Sequence, residues 1–320
     1  MNDTLNSAQF QTLIYERPAA AVARIVQNRP KQRNAQDLQM TYELRDAFDR
    51  ANADTEVKVI ILAGADPHFS AGHDLQGDSG KTLADYRIAG TWAEFDKPGA
   101  EGMWSREKEI YLDMTERLRN IGKPTIAQVQ GRCAAGGLML AWACDLIVAA
   151  DDAAFIDPVV DIGIAGVEYF AHPFELGVRK AKELLFTAST FSAAEAHRLG
   201  MVNSVVPRAE LADFVLALAT RIAAKPSFAL KLVKEAVNGA QDAMGRRAGM
   251  QQAFALHQLC HAHNRDQFGV VIDPRGLPEP LRSHVIGRIA SELPEPQRSR
   301  ALANLGLSSE AHAVTAGRPD

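Results

Sequence analysis

The amino-acid sequence predicts an α/β fold in which a core of alternating strands and helices precedes a helical C-terminal layer. Short β-branched segments alternate with segments of helical periodicity through the core. Glycine-rich turns follow two of the strands, and three consecutive helical segments come after the last strand. We therefore expect a core over 1–205, a helical layer over 206–264, and an extension rich in proline and arginine over 265–320.

The first part of the core carries one strand, one helix and a second strand. Residues 20–27 alternate loosely between apolar and polar side chains, as in a half-buried strand. Asn34 can cap a helix over about 35–52, where apolar residues recur at helical spacing. The run VKVIILA at 57–63 is typical of a buried strand, and a turn-rich stretch, HFSAGHDLQGDSG, follows it closely.

The second part of the core is built around two adjacent glycines. Residues 77–105 are less regular, and a helix is predicted from there to about Asn120. The segment TIAQV then predicts a short strand that leads into CAAGGLML, where Gly136 and Gly137 open an apolar helix. A further strand, DLIVAA, follows.

The end of the core and the C-terminal layer show clear helix signals. Ser192 and Glu195 form a capping-box pattern for the short helix SAAEAHRLG, and MVNSVVP predicts a strand after it. Helices are predicted over about 208–224, 226–239 and 242–263. The last residues are weakly periodic, so we expect a partly ordered tail.

Composition excludes several classes of function. The chain is 47% hydrophobic and 23% charged, as in globular proteins. Its net charge of −4 gives no basic surface for nucleic acid. The apolar runs are too short to cross a bilayer and the N-terminus lacks a signal-peptide pattern, so we expect a cytoplasmic protein without membrane contact. Three scattered cysteines predict free thiols.

Two glycine-containing loops are candidates for binding an anionic oxygen. In FSAGHDL, Gly72 precedes His73 after a buried strand, and in CAAGGLML, Gly136 follows a strand and opens a helix. Backbone N–H groups at such turns are free to donate to a ligand, and a helix start adds a favourable field for negative charge. Two such donors that converge form an oxyanion hole. Ordinary turn chemistry is the alternative explanation for both glycines.

The order and spacing of four segments resemble the crotonase, or enoyl-CoA hydratase/isomerase, superfamily. These segments are NRPKQRNAQDLQM, VKVIILAGADPHFSAGHDL, GKPTIAQVQGRCAAGGLMLAWACDLIVAADDAAF and FSAAEAHRLGMVNSVVP, and the similarity covers about residues 12–263. The resemblance implies a spiral of ββα units, a C-terminal layer that forms trimers or hexamers, and an acyl-CoA thioester as substrate. It implies no further cofactor, since coenzyme A is part of that substrate.

The resemblance also implies where the substrate binds. The N–H groups of His73 and Gly136 correspond to the pair that holds the thioester carbonyl. Gly136 would lack a side chain because the acyl-CoA lies against its backbone. Coenzyme A would lie along Ala71, Asp74, Leu75 and Gln76. Lys31 and Arg33 stand where relatives often contact phosphates, although two solvated cations are an equal alternative.

The positions of the two hydratase glutamates are occupied by hydrocarbon side chains. The resemblance places one at Met139, three residues after the oxyanion-hole glycine, and the other at Val159, after the proline of FIDPVVDIG. Neither side chain can carry a proton, and positioned acid–base groups each contribute roughly 10²–10⁴-fold to rates. We therefore expect both to line the acyl pocket, which makes ordinary hydration hard to explain.

Glu168 is the acid–base candidate that remains. It lies where the active-site loop of the family enters its next helix, and an apolar pocket would raise the pKa of its carboxyl group. A first-turn glutamate favoured by the helix dipole is the alternative. Nearby, Asp161 is expected to be solvated, and His172 and Tyr169 to be structural. The side chain of His73 is expected to be a satisfied surface histidine, and contact of its imidazole with coenzyme A or the substrate is the alternative.

Two other groups of residues have competing interpretations. Trp92, Phe95 and Trp104 lie in a stretch longer than in short family members, so they either shape a large acyl site or make packing contacts. A histidine cluster in the last predicted helix contains His257, Cys260, His261 and His263. No carboxylate ligand spacing accompanies it, so we expect no metal site.

These observations predict an oligomeric acyl-CoA enzyme with His73, Gly136 and Glu168 at its catalytic centre. Hydration, isomerisation and thioester hydrolysis by Glu168 all stay open. The alternative is a catalytically silent paralogue that binds acyl-CoA without turnover, because Met139 and Val159 have replaced the usual glutamates.

Overall fold

The structure, a computed structural model, describes residues 10–75 and 80–307. Its strands form two sheets. The main sheet has the order β1-β2-β3-β4-β6-β9, with β1 and β2 antiparallel and every later pair parallel. The smaller sheet has the order β5-β7-β8. The strands are β1 Leu13–Ala19, β2 Val22–Gln27, β3 Val59–Gly64, β4 Thr125–Val129, β5 Arg132–Ala134, β6 Leu146–Ala150, β7 Ala154–Ile156, β8 Phe191–Ser192 and β9 Ser204–Val206.

Helices pack around these sheets and extend beyond them. In chain order they are α1 Leu38–Ala53, α2 Gly99–Glu107, α3 Met114–Arg119, α4 Gly136–Ala143, α5 His172–Leu176, α6 Val178–Thr187, α7 Ala193–Arg198, α8 Leu211–Ala223, α9 Ser227–Ala243, α10 Arg246–Phe268, α11 Leu281–Glu292 and α12 Gln297–Asn304. The mixed strand and helix content confirms the predicted α/β class.

The two faces of the main sheet are covered by different helices. Alternate residues of a strand point to opposite faces. In β3, Val59 and Ile61 therefore pack in a small core with Leu211 and Val215 of α8. On the other face, Ile60 and its neighbours pack against α1 and α4 in the main core. The parallel strands are buried on both sides, which explains their continuous apolar sequence.

Several predicted elements differ in detail from the structure. The first helix begins at Leu38 and is capped by Asp37, whose Oδ1 accepts from the Met40 N–H at 2.8 Å, so the expected cap at Asn34 was wrong. Strand β1 was missed. The predicted helix before Asn120 is divided by a π-helical segment, Lys108–Asp113, between α2 and α3. Ser192 caps α7, as predicted.

The C-terminal part is mainly helical. Helices α8 to α10 correspond to the three predicted helices with shifts of a few residues. The extension contains α11 and α12, which pack around a small core of Ile289, Ala301 and Leu302. The extension also contacts the core, since the Asp273 N–H donates to the carbonyl of Ile162 at 2.8 Å. The proposed domain boundaries stay a prediction.

Candidate active site

The loop that follows β3 brings His73 beside the glycine pair. The Gln36 N–H donates to Gly72 O at 2.8 Å, and the Asp74 N–H donates to Gln36 O at 2.9 Å, so the backbone on both sides of His73 is held. Gly72 has a φ of +92°, which favours glycine. A Cβ atom at Gly72 would lie 3.0 Å from the Gly136 nitrogen. The two loops are therefore in direct contact.

Gly136 is the first residue of α4 and follows Ala135, whose N–H donates to Ile156 O at 2.9 Å. The N–H groups in the first turn of a helix have no partner within the helix. Neither the His73 N–H nor the Gly136 N–H donates a backbone hydrogen bond to another of the residues described in the structure. Both donors are available to a ligand, and they lie on touching loops.

The imidazole of His73 is buried within the site, so the expectation of a surface histidine was wrong. Only 13% of its side chain is exposed, and its ring stacks on Tyr111 with the centroids 3.6 Å apart. A Cβ at Gly136 would lie 2.6 Å from His73 Cε1. The space beside Gly136 is thus filled by this imidazole, and the expectation that an acyl-CoA lies against the Gly136 backbone stays a prediction.

Glu168 is the partner of this imidazole. Its Oε2 lies 3.2 Å from His73 Nε2, and the residue is 4% exposed. It precedes α5 by several residues, so the alternative of a first-turn glutamate was wrong. The Val167 N–H, one residue earlier, donates to Asp157 Oδ2 at 3.1 Å and holds this loop. The structure therefore brings together all three predicted catalytic residues.

The pKa of Glu168 differs from the expected one. Burial favours the neutral acid, but the neighbouring imidazoles of His73 and His257 outweigh it and hold the pKa of the Glu168 carboxyl below its usual range. The predicted increase in this pKa was therefore wrong. An ionised Glu168 only accepts hydrogen bonds, so His73 Nε2 carries a proton, and in the neutral form of the ring Nδ1 carries the lone pair. Nδ1 is buried and has no hydrogen-bond partner among the described residues.

Of the two apolar residues expected to line the acyl pocket, Met139 borders a small cavity beside His73, whereas Val159 does not. Met139 is 2% exposed in α4 and belongs to the main core, and Val159 is half-buried at its edge. Asp161 is exposed, as predicted. A cavity of about 10 Å³ lies between His73, Tyr111 and Met139. That is the space of about one water, so an acyl chain requires the imidazole or the tyrosine to move.

The residues expected to bind coenzyme A lie on two adjacent segments. The Ala71 N–H donates to Arg33 O at 2.9 Å, which brings the segment with Lys31 and Arg33 beside the His73 loop. Both cations and Leu75 are exposed. Asp74 is paired with Arg29 at 2.8 Å, so its carboxylate already has a cationic partner. Gln76 lies outside the described residues.

The remaining candidates make packing contacts. His172 Nε2 lies 2.9 Å from Asp157 Oδ2, and Tyr169 contacts Arg246, in agreement with their expected structural roles. The Trp104 ring lies 4.8 Å from that of Phe254, and Trp92 is partly exposed beside Trp104. None of these aromatic residues lines the cavity at His73.

A carboxylate that the sequence did not indicate lies beside the histidine cluster. Glu107 of α2 lies close to His257 and His261, whereas Cys260 and His263 are not part of this group. The sequence has no carboxylate at ligand spacing to these histidines, but the fold brings one to them from a distant helix. His257 Nε2 also lies 3.6 Å from Glu168 Oε1, so the cluster adjoins the active site. A carboxylate 150 residues away in sequence leaves no local spacing pattern to detect.

Comparisons with known proteins agree with this architecture. The profile of the enoyl-CoA hydratase/isomerase family matches residues 17–271. A putative enoyl-CoA hydratase, EchA13, of Mycobacterium tuberculosis is 46% identical over 265 residues, which are 80% of this chain and 82% of that protein. Among the described residues, no helix is long and apolar enough to span a membrane.

Solved structures show the same fold. A probable enoyl-CoA hydratase from Mycobacterium smegmatis is 45% identical, with a TM-score of 0.74 over 82% of this chain and 99% of that one. An enoyl-CoA hydratase/isomerase from Xanthobacter autotrophicus Py2 is 28% identical, with a TM-score of 0.72 over 98% of this chain and 100% of that one. The chain therefore belongs to the enoyl-CoA hydratase/isomerase family and has the crotonase fold.

Proposed function

We propose that this protein is an enzyme that moves a proton on an acyl-CoA thioester, with the His73 imidazole as the base. The thioester carbonyl oxygen accepts hydrogen bonds from the N–H groups of His73 and Gly136. His73 Nδ1 removes a proton from the carbon next to that carbonyl, and Glu168 holds the imidazole in the required tautomer. The two N–H donors stabilise the enolate oxygen that forms.

The observation that carries this proposal is the buried contact between His73 Nε2 and Glu168 Oε2, at 3.2 Å. A base that is oriented by a carboxylate through its other nitrogen is a recurrent arrangement in proton-transfer sites. The free nitrogen, Nδ1, would lie 2.7 Å from a Cβ at Gly136, so it is beside the proposed oxyanion hole. Base and oxyanion donors thus adjoin the same small space.

Isomerisation of a double bond is the reaction that this set of groups supports best. The base takes the proton from the α-carbon, a dienolate forms, and the same imidazolium returns the proton two carbons further along the chain. Atoms and charge balance, and no water is needed. Hydration requires a further group to orient the water, and the residues at the usual positions, Met139 and Val159, cannot do this.

The coenzyme A moiety is proposed to extend from the site along the His73 loop. Its adenine end would lie against the backbone of Ala71 and Leu75, and its phosphates near Lys31 and Arg33. The exposure of both cations, and the hydrogen bond that joins the two segments, support this placement. Asp74 is less suited to a direct contact because Arg29 holds its carboxylate.

A second candidate function is a silent acyl-CoA-binding protein. The small cavity favours it, because the His73 ring occupies the place beside Gly136 where the substrate carbonyl would approach. In the enzyme, the imidazole must shift when the substrate binds. In a silent paralogue, the ring would block the reacting end while the coenzyme A portion still bound.

A panel of CoA thioesters in deuterium oxide tests these alternatives. Saturated, β,γ-unsaturated and α,β-unsaturated acyl groups would be followed for deuterium at the α-carbon, double-bond shift, hydration and release of free CoA. We expect α-carbon exchange and a double-bond shift, with both about 10²–10⁴-fold slower in His73→Asn, which keeps the backbone N–H. Asp161→Asn, which changes an exposed carboxylate, is the matched control and should retain full rates.

The other possible results of the thioester panel would each indicate a different function or exclude the proposed base. Binding of the thioesters without turnover across the panel would establish the silent paralogue. Release of CoA that depends on Glu168 would establish a thioester hydrolase. Exchange that is unchanged in His73→Asn would exclude the imidazole as the base.

The assembly is also proposed to be a homotrimer or homohexamer. Helix α9 of the C-terminal layer leaves one apolar row exposed, with Phe228, Leu232, Val233 and Val237. A contiguous apolar surface of this kind is typical of a protein–protein interface. Light scattering of the purified chain gives the assembly mass directly.

A further inference from the structure

The cluster of Glu107, His257 and His261 lies outside the groups that the proposed reaction uses. Glu107 is the last residue of α2, and the two histidines lie one turn apart on α10. The three residues are 9%, 4% and 7% exposed. Three potential metal ligands from two helices therefore meet in the interior, where polar side chains need partners.

The ligand atoms of the cluster converge on one point. His257 Nε2 and His261 Nε2 are 2.9 Å apart. Glu107 Oε2 lies 3.3 Å from the first nitrogen, and Glu107 Oε1 lies 3.2 Å from the second. Ligands about 2.0–2.1 Å from a tetrahedral zinc ion are separated by about 3.3 Å. The three observed distances are close to that value.

The other ring nitrogen of each histidine is already in use. His257 Nδ1 lies 2.7 Å from Gly166 O, and His261 Nδ1 lies 2.7 Å from Val271 O. A carbonyl oxygen only accepts, so each Nδ1 carries a proton. In the neutral rings, both Nε2 lone pairs then face each other across 2.9 Å. A positive charge between them, supplied by a proton or by a metal ion, offsets this repulsion.

We propose that Glu107, His257 and His261 bind one divalent transition-metal ion of the zinc type. Two imidazole nitrogens and one carboxylate are a common ligand set for such ions. Metal-bound histidines almost always donate their second N–H to a carbonyl or carboxylate, as both histidines do here. The Gln258 amide also donates to Glu107 and orients its carboxylate.

A fourth ligand is within reach of this site. Glu168 Oε1 lies 3.6 Å from His257 Nε2, on the side that faces the active site. The ion would join α2, α10, the Glu168 loop and, through Val271, the start of the extension. It therefore holds together parts of the chain that are far apart in sequence. The proposed ion would thus share Glu168 with the reaction proposed above, but its test measures binding alone.

Metal content and zinc titration of the untagged full-length chain test this inference. The protein would be analysed for metals by mass spectrometry as purified, then stripped with a chelator and titrated with zinc chloride by calorimetry. We expect about one zinc ion per chain and a higher melting temperature with zinc. Loss of one ligand in His261→Gln or Glu107→Gln should weaken binding at least tenfold. His263→Gln, an exposed histidine on the same helix, is the matched control.

Two results would contradict a metal site at Glu107, His257 and His261. A wild-type chain that binds no zinc in either experiment overturns the inference, and the charge between the histidines is then a proton. Equal zinc affinity in wild type and in both ligand variants also overturns it, because the ion then binds elsewhere. Circular dichroism identifies a variant that fails to fold, and the second ligand variant then decides. Turnover is not needed for any of these measurements.

Discussion

The two loops that meet at the active site are held in different ways. The His73 loop, over 71–75, is fixed by contacts with one nearby segment, through the hydrogen bonds that pair it with Gln36. The Glu168 loop, over 163–171, has no strand or helix of its own. Asp157 holds its Val167 N–H, and His257 of α10 contacts its Gly166 carbonyl.

This difference separates the roles of the two loops. The His73 loop presents a backbone N–H group, whose position depends on the hydrogen bonds between the loop and Gln36. The Glu168 loop presents a side chain, whose position depends on residues far away in sequence. Substitutions in the His73 loop should therefore affect the rate of the reaction. Substitutions in the Glu168 loop should affect both the rate and the stability of the fold. The following predictions test that distinction.

Among these variants, the largest effect is expected at Gly136, which opens α4 beside the His73 loop. Gly136→Pro removes the N–H donor, and Gly136→Ala retains it while adding a similar Cβ near the His73 ring. Loss of one oxyanion-hole donor lowers rates about 10²–10³-fold. We expect the proline variant to be slower than the alanine variant by about that factor in α-carbon exchange. Equal rates in the two variants would contradict a role for the Gly136 N–H.

A smaller effect is expected from Glu168→Gln, which keeps the shape of the side chain but removes its charge. We expect a decrease of about 10–10²-fold in kcat with little change in KM, since Glu168 orients the base without binding coenzyme A. Glu168→Asp should recover part of the loss. A change confined to KM would place Glu168 in substrate binding instead.

The support of the Glu168 loop is tested by Asp157→Asn. This change weakens the contacts of Asp157 with the Val167 N–H of the loop and with His172, the first residue of α5, and both residues are buried. We expect the free energy of unfolding to fall by about 2 kcal/mol, the cost of a buried charged hydrogen bond. Urea denaturation measures it. Asp161→Asn in the neighbouring segment should leave stability unchanged.

The smallest effect is expected at Glu175, in the helix that follows the Glu168 loop. Burial raises the pKa of its carboxyl group from 4.5 to about 7, against the opposing charges of Arg119 and Arg246. The folded state then binds more protons than the unfolded state between these values, so stability falls as pH rises through this range. Glu175→Gln should be more stable than wild type at pH 8, by at most the ~3 kcal/mol that a pKa shift of this size represents, and similar at pH 4.5. Thermal melts at both pH values check this.

Local signals in the sequence predicted most of the core and the backbone part of the site. The strand at TIAQV coincides with β4, and the glycine pair opens α4 as expected. These features depend on neighbouring residues only. The loop of His73 was predicted for the same reason, because a buried strand and a glycine precede it.

For the side-chain part of the site, the sequence indicated Glu168 as a candidate but not the contacts that it makes. The burial of His73 depends on Tyr111, which lies in a predicted helix 38 residues away, and on Glu168, 95 residues away. The ionised state of Glu168 depends on His73 and His257. Glu107 reaches the histidines only because α2 packs against α10. Contacts of this kind arise from tertiary packing, which single-segment patterns do not contain.

The π-helical segment Lys108–Asp113 determines the directions in which the side chains of Glu107 and Tyr111 point. Glu107 just before it points to the histidines of α10, and Tyr111 within it points to His73. A π-turn contains about one residue more than an α-turn, so deleting one residue there would restore regular helix and rotate everything upstream by about 100°. Such a deletion would separate the carboxylate from its histidines and leave the tyrosine in place. The one additional residue of the π-turn thus allows a continuous helical segment to place one side chain at the histidines of α10 and another at His73.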